Sequence, residues 1–440
     1  MNEGNRPTVG HFVATYLPYG GAWIYNQLVH LQSFRPVVLT RRIEHLDQFP
    51  FDPIWEYRRP FRDARSAPLK AVRKVHETIL VPQWRYFARV VEKENMCLLH
   101  AHFGEWGYRC LHLKRRTGVP LVTTFYGWDM SMLPASSPVW RERYRVLFGE
   151  GDLFLAEGPA MRRRLIELGC PPAKACLHHL GVAVERIECR LRRPSAGAPV
   201  RLLAASNFTE KKGMPYLAQA FAQTHRLRGN LTLTFVGDGP ERAQVERIVG
   251  ETDARDAVRF EGVVPYARLL DLAYQHHLFV HPSVTASDGN TEGGAPVVLL
   301  DMQATGMPVI ATHHADIPHV VREGETGVLV PERDVPGLAS AIISLAQQPA
   351  LWLEMGRAAR HLVETEFDAR RQARRLEVRY SEVLAKHSRC GPPALRDDRP
   401  PVAGCREWVC GARKTGSAGS ALCLSVPRRL RRKGRHLRGA

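Results

Sequence analysis

The 440-residue chain contains no apolar run approaching the roughly 20 residues that a membrane-spanning helix needs. No secretory leader is legible in its first residues, so the expected location is the cytoplasm. Its nine cysteines include no CxxC pair. Cys170 and Cys176 are six apart and Cys405 and Cys410 five apart, spacings that suit neither zinc fingers nor a disulfide framework, and free thiols are expected. Acid is short relative to base: 44 Asp/Glu face 62 Lys/Arg, for a net charge of +18. From Ser388 onward the tail alone contributes +10, which leaves a body only moderately basic for its size. Such a balance favours anionic partners without choosing among nucleotides, anionic lipids and nucleic acid. A specific nucleic-acid role would rest on the tail alone, with no recognition motif behind it, and is not expected.

What is present is an alternation of short apolar strands and helices, an α/β pattern long enough for two domains. In the first half, strands are expected at Thr8–Tyr16, Arg35–Leu39, Met96–His102, Leu121–Phe125 and Asp152–Ala156, with helices including Ala22–Phe34, Trp106–Arg116 and Pro159–Leu168. After a Pro/Gly/Arg-rich stretch the pattern restarts at Arg201–Ala205, Leu231–Val236, Val258–Phe260, Leu278–His281, Pro308–Ala311 and Gly327–Val330. Buried strands alternating with helices form parallel sheets covered on both faces, and ligands bind at the strands' carboxyl ends. The reading is therefore two doubly wound, Rossmann-like domains facing a cleft. It divides the chain into residues 1–190, a linker at 191–199, a second domain at 200–366, a crossover helix at 367–387 and a basic, disordered tail at 388–440.

The richest stretch is Glu292-Gly-Gly-Ala-Pro-Val-Val-Leu-Leu-Asp301. Glycines let backbone amides approach a ligand, Pro296 suits the first helical position, and a helix start attracts anions. Asp301 lies among Val297, Val298, Leu299, Leu300 and Met302, where a carboxylate needs a partner. Two acids flanking an anion-binding helix start point to a phosphorylated, hydroxyl-rich ligand.

Four further motifs set this stretch in order. Lys211-Lys212-Gly213 and Val236-Gly237-Asp238-Gly239-Pro240 precede it, and Gly306-Met-Pro-Val-Ile and Gly324-Glu-Thr-Gly-Val-Leu-Val follow. Together they resemble the nucleotide-sugar half of a retaining family-4 glycosyltransferase of GT-B fold. The segment Asp288-Gly-Asn-Thr-Glu-Gly-Gly-Ala-Pro is similar to bacterial exopolysaccharide enzymes, including the colanic-acid type. The resemblance implies transfer of a sugar, with retention, from a UDP- or GDP-sugar to a saccharide acceptor, lipid-linked in relatives, with no cofactor and no metal. It implies catalytic positions at Glu292, Lys212, Tyr126 and His102. Donor contacts would come from Asn207, Lys211, Gly237, Gly239, Gly262, Gly293, Gly294, Ala295 and Asp301, and from the first domain's Gly20 and Gly21. Asp129, closing the Phe-His-Gly-x-Asp-like segment Thr124-Phe-Tyr-Gly-Trp-Asp, would lie on the acceptor side.

This chain departs from the pattern at four places. Asn207 stands where an arginine is usual, Tyr126 where a histidine is usual, and Asp301 is one methylene shorter than the usual glutamate. Glu292 and Asp301 also have eight residues between them where the family has seven, an addition that the loop before the helix can absorb.

Two other readings remain open at this stage. His100 and His102 share one face of a strand, as metal ligands do in some hydrolases, although no further histidine cluster accompanies them in the sequence. A GT-B protein that binds a nucleotide sugar without turnover would keep the same motifs. Aromatic and basic residues interleave from Trp55 to Lys74, a composition suited to peripheral contact with an anionic membrane surface on its inner face.

Overall fold

The computed structural model describes residues 6–17, 21–58, 82–194, 197–227 and 230–390. Gly20, the basic run from Arg59 to Lys74 and the chain after Cys390 lie outside the described residues. Two parallel sheets organise the rest. The first holds β1 (Thr8–Phe12), β2 (Arg35–Thr40), β3 (Ile54–Glu56), β4 (Met96–His102), β5 (Leu121–Thr124), β6 (Leu153–Ala156) and β7 (Ala175–Leu177), in the spatial order β3-β2-β1-β4-β5-β6-β7. The second holds β8 (Val200–Ala205), β9 (Leu231–Val236), β10 (Val258–Gly262), β11 (Leu278–His281), β12 (Val309–Thr312) and β13 (Gly327–Val330), ordered β10-β9-β8-β11-β12-β13. Each order reverses once, between β1 and β4 and between β8 and β11, and such a reversal opens a crevice at the strands' carboxyl ends.

The strands read as continuous apolar runs because both faces are covered. Phe12, Val37, Leu99, Leu121 and Phe154 pack under the helices on one side of the first sheet. On the other side Val9, Leu98, Val122 and Leu155 meet Ala373, Leu376, Tyr380 and Val383 of the last helix, Ala369–Cys390. The crossover helix therefore completes the first sheet's core. It runs three residues into what the sequence reads as tail.

The stretch read as a linker is fastened down. Arg192 is buried, and its guanidinium donates to Ala273 O at 2.9 Å, to Thr305 Oγ1 at 2.8 Å and to the carbonyls of Thr305 and Arg190. Burial lowers its pKa to about 10, so it remains a cation tying the chain to the second sheet's helices. No helix among the described residues is long and apolar enough to cross a membrane.

Candidate donor site in the cleft

Glu292 sits in the loop between β11 and the helix Val297–Ala304, at the reversal of the second sheet. Lys212, in the 3-10 turn Glu210–Lys212 after β8, brings its Nζ to 2.8 Å from Glu292 Oε2. Ser283 Oγ donates to Oε1 at 2.8 Å. Lys211 Nζ stands 3.8 Å from the same carboxylate and donates to Thr291 O at 3.0 Å. His281 Nε2 lies 3.7 Å from Oε1, beyond hydrogen-bond reach. Burial pushes the Glu292 carboxyl up, but Lys212 and Lys211 with His281 hold it well below the usual range, so it is ionised. The Glu292 N–H donates to His314 Nε2 at 3.0 Å, and His314 Nδ1 lies 2.6 Å from Glu332 Oε1. With Nε2 accepting, the imidazole proton belongs on Nδ1, facing the carboxylate.

The added residue is absorbed in the loop. Gly293 takes φ +80, and the helix begins at Val297, with Pro296 as its N-cap at ψ 125 rather than in the first helical position expected. Asp301 takes a different partner. The Tyr266 hydroxyl donates to its Oδ1 at 2.9 Å, no arginine reaches it among the described residues, and burial raises its pKa to about 7. Gly237 follows β9 at φ +122, and any Cβ there would lie 1.8 Å from Ser206 O. The backbone after β8, where Asn207 sits half-buried, thus runs directly against it. Gly239 and Gly262 also have positive φ, and Gly237 N donates to Gly262 O at 2.7 Å.

Across the cleft the loop after β5 presses on the glycine loop. A Cβ on Gly127 would lie 2.1 Å from Glu292 O, and one on Gly293 2.3 Å from Gly127 Cα. Glu157, after β6, brings Oε2 to 2.0 Å from where a Cβ of Gly294 would be; burial and the charges of Asp129, Asp316 and Glu292 push its pKa well up. Asp316 reaches over from the second sheet's side, and its carboxylate accepts from Ala160 N at 2.7 Å and Met161 N at 3.1 Å. Those amides open the helix Pro159–Glu167, a favourable seat for an anion.

The remaining first-half candidates are less exposed than expected. The Tyr126 hydroxyl is 2.7 Å from His102 Nδ1, and His102 Nε2 is 3.2 Å from His11 Nδ1. All three side chains are buried, although Tyr126 still lines a small pocket with Trp23, Gln27 and His178. Asp129, expected on the acceptor side, is fully buried and accepts from Gly104 N at 2.7 Å and Tyr126 N at 2.9 Å; it fastens the turn and presents nothing to an acceptor. Gly21 caps the helix Ala22–Val29.

The further histidine that the sequence did not reveal is His11, whose nitrogen lies within 4.8 Å of ligand atoms of His100 and His102. The donor set is poor for a cation. His100 is engaged by Tyr380 Oη at 2.6 Å and Thr124 Oγ1 at 2.7 Å, His102 by Tyr126 and His11, and among the described residues no carboxylate joins the group. A metal would have to displace hydroxyls from fully buried rings.

Sequence reading missed Ser283, His281, His314, Glu157 and Asp316. His281 ends β11, and Ser283 and Glu157 lie just past the ends of β11 and β6, a usable signal because ligands gather there. Asp316 carries none, since its partner is the start of a helix about 155 residues earlier.

Comparison with known proteins follows the same division. Residues 28–186 match the model of Glycosyltransferase Family 4, and residues 199–348 that of Glycosyl transferases group 1. The amylovoran biosynthesis glycosyltransferase AmsK of Erwinia amylovora is 32% identical over 247 residues, 56% of this chain and 60% of that protein. WcaL of Salmonella typhimurium, named for colanic acid biosynthesis, is 31% identical over 250 residues, 56% of this chain and 61% of its own. The matches therefore span about three fifths of these relatives' lengths. Anabaena HepE, solved in complex with UDP, superposes with a TM-score of 0.68 at 16% identity, over 85% of this chain and 100% of its own, which speaks to the fold. With each half matched by one of two linked models and both sheets enclosed in one shared architecture, the chain belongs to the family 4 (group 1) glycosyltransferases of GT-B fold.

Proposed function

We propose that this protein transfers a sugar, with retention, from a nucleoside-diphosphate sugar to a lipid-linked saccharide during assembly of a cell-surface polysaccharide. The observation that carries the reading is the ionised Glu292 held by Lys212 in a glycine loop at the reversal of the second sheet. Lys212 and Lys211 would neutralise a diphosphate, and the amides of Gly293, Gly294 and Ala295 would donate to it. Glu292 would then hold hydroxyls of the sugar, and Asp301 those of the ribose. The C1–O bond to phosphate breaks as the acceptor oxygen bonds to C1 from the same face. The acceptor proton passes to the departing phosphate oxygen, so no side-chain nucleophile is needed. Closure of the Gly127 loop on the Glu292 loop excludes water and limits donor hydrolysis.

In this reading residues 1–190 serve the acceptor and 200–366 the donor. The relatives' names, amylovoran and colanic acid biosynthesis, support the polysaccharide assignment. A thermal-shift series with UDP, GDP and ADP, with and without EDTA, tests it. One nucleotide at a hundredfold excess over its Kd should stabilise the fold by about 2.7 kcal/mol, independently of EDTA. Absence of any nucleotide response, with destabilisation by EDTA, would overturn the reading in favour of a metal enzyme.

A further inference from the structure

His281 closes β11 with its side chain wholly buried, and neither ring nitrogen has a partner among the described residues. Phe279, two residues back on the same face of the strand, stacks on the ring with centroids 6.0 Å apart and 17° between the planes, which fixes its orientation. A buried imidazole with both nitrogens unspent is costly, and a leucine would fill the same space without that cost. The Nε2 atom stops 3.7 Å from Glu292 Oε1. A movement of about 0.5 Å would bring the two within hydrogen-bond reach.

The Glu292 carboxylate is held from two sides. Lys212 sits on Oε2 at 2.8 Å, while Ser283 and His281 face Oε1. Lys211 stands off at 3.8 Å and donates to Thr291 O. His314 is spent between the Glu292 N–H and Glu332. His281 is thus the basic side chain at this carboxylate whose nitrogens are still to be used.

A nucleoside diphosphate at Lys212 changes the balance. It brings negative charge to the ammonium that neutralises Glu292, so two anions divide one cation and repel each other. Glu292 is only 5% exposed and has little water to turn to. The titratable groups facing the His281 ring are Glu292 from the glycine loop, Lys212 from the turn after β8 and His314 from the loop after β12. Burial, with Lys212 and His314, outweighs Glu292 and lowers its pKa, so the ring is neutral while Lys212 stays on Glu292. Dividing the charge of Lys212 removes part of what keeps it neutral, and the added anion favours a proton there.

We propose that His281 is a positioning residue, which closes on Glu292 Oε1 as the donor's diphosphate draws Lys212 off Oε2 and so keeps the carboxylate fixed for the sugar. The inference rests on the transferase reading above, which supplies the diphosphate. One proton enters from solvent and stays on the imidazole; His281 neither touches the donor nor takes part in the chemical step.

NMR of histidine-labelled, full-length protein tests this, with the His281 resonance assigned by its loss in His281→Gln. In Lys212→Met without nucleotide, the His281 titration midpoint should rise by about one pH unit or more over wild type. Saturating UDP, or GDP or ADP if one of those is the nucleotide that binds, should raise it in the wild type as well. A His281 that stays neutral in Lys212→Met overturns the takeover. So does one that charges there but is unmoved by bound nucleotide in the wild type, because Lys212 then never leaves Glu292. Should Lys212→Met fail to fold, the wild-type titration with nucleotide decides alone. If the variant charges His281 but none of the three nucleotides binds the wild type, the transferase reading falls and the Glu292–His281 coupling stands without a donor to trigger it.

Discussion

The Lys212–Glu292 pair concentrates the residue-scale chemistry. With side chains only 14% and 5% exposed, it is a nearly dry ion pair. Removing one partner strands the other, at a cost on the order of 3 kcal/mol, whereas replacing both loses less. Lys212→Met should lower the urea-unfolding free energy by about that amount, and Lys212→Met combined with Glu292→Gln should recover a large part. Equal loss in the single and double variants would mean the pair is not coupled. Glu292→Ala should abolish transfer with the fold intact, as read by product formation beside circular dichroism. Persistent transfer would remove Glu292 from the chemistry. Asp301 is held by one hydroxyl in a dry setting, so Tyr266→Phe should remove that hydrogen bond and weaken nucleotide binding more than it weakens the fold.

Across the cleft, the loops after β5 and β6 meet the second half through backbone and a helix end, unlike the apolar faces that join helices to each sheet. Gly127→Ala would push a methyl to 2.1 Å from Glu292 O, which backbone cannot yield to without the two loops parting. Transfer should fall steeply while nucleotide binding to the second half survives; unchanged transfer would mean that this approach is not needed for turnover. Asp316→Ala removes the acceptor from the start of the helix Pro159–Glu167 and should cost about 0.5–2 kcal/mol. Scattering should record a more open molecule.

At this scale the sequence is legible in part, and for identifiable reasons. The bounds of β4, β9, β11 and β13 match their apolar runs, because strands covered on both faces advertise themselves. β3 and β7 escape notice, being three-residue edge strands with no run to see. The loop carrying Glu292 and the lysine turn were readable because each is a short local motif. His11 was not, because only the parallel register that sets it opposite His100 makes it a neighbour. Tyr126 and Asp129 were placed at the cleft by analogy of position, while the structure spends their polar atoms on His102 and on two backbone amides.

For the molecule as a whole, buried imidazoles govern the response to acid. Burial lowers His102 and His178 to about 3 and sets His11 and His100 well below their usual value. A folded pKa beneath the unfolded value of about 6.5 means that the unfolded chain binds more protons in between. Stability is then full above pH 6.5 and falls below it, by roughly 1.4 kcal/mol per pH unit for each imidazole. Asp129 and Asp301, raised to about 7 by burial, act in the opposite sense: their contribution is full below about 3.8 and is lost as pH rises through 7. Glu157, also pushed up, acts with the two aspartates, and His277, lowered to about 4, acts with the four imidazoles; five imidazoles outweigh three carboxyls, so the melting temperature should drop between pH 6.5 and 5. A flat profile across that range would mean these rings are not held neutral. His100→Asn should reduce the slope.

The last helix has one more consequence, and it concerns the order in which the protein is made. Tyr380 meets His100 across 280 residues of chain, and it does so to finish the first sheet's apolar face. A ribosome adding roughly 5–20 residues per second needs about 14–56 s to bridge that interval. Through most of it Val9 and Leu98, joined later by Leu155, stand without their cover. The nascent first half is therefore a client for a holding chaperone until the very end of synthesis, and a message truncated before the final helix yields an aggregating fragment instead of a smaller working domain.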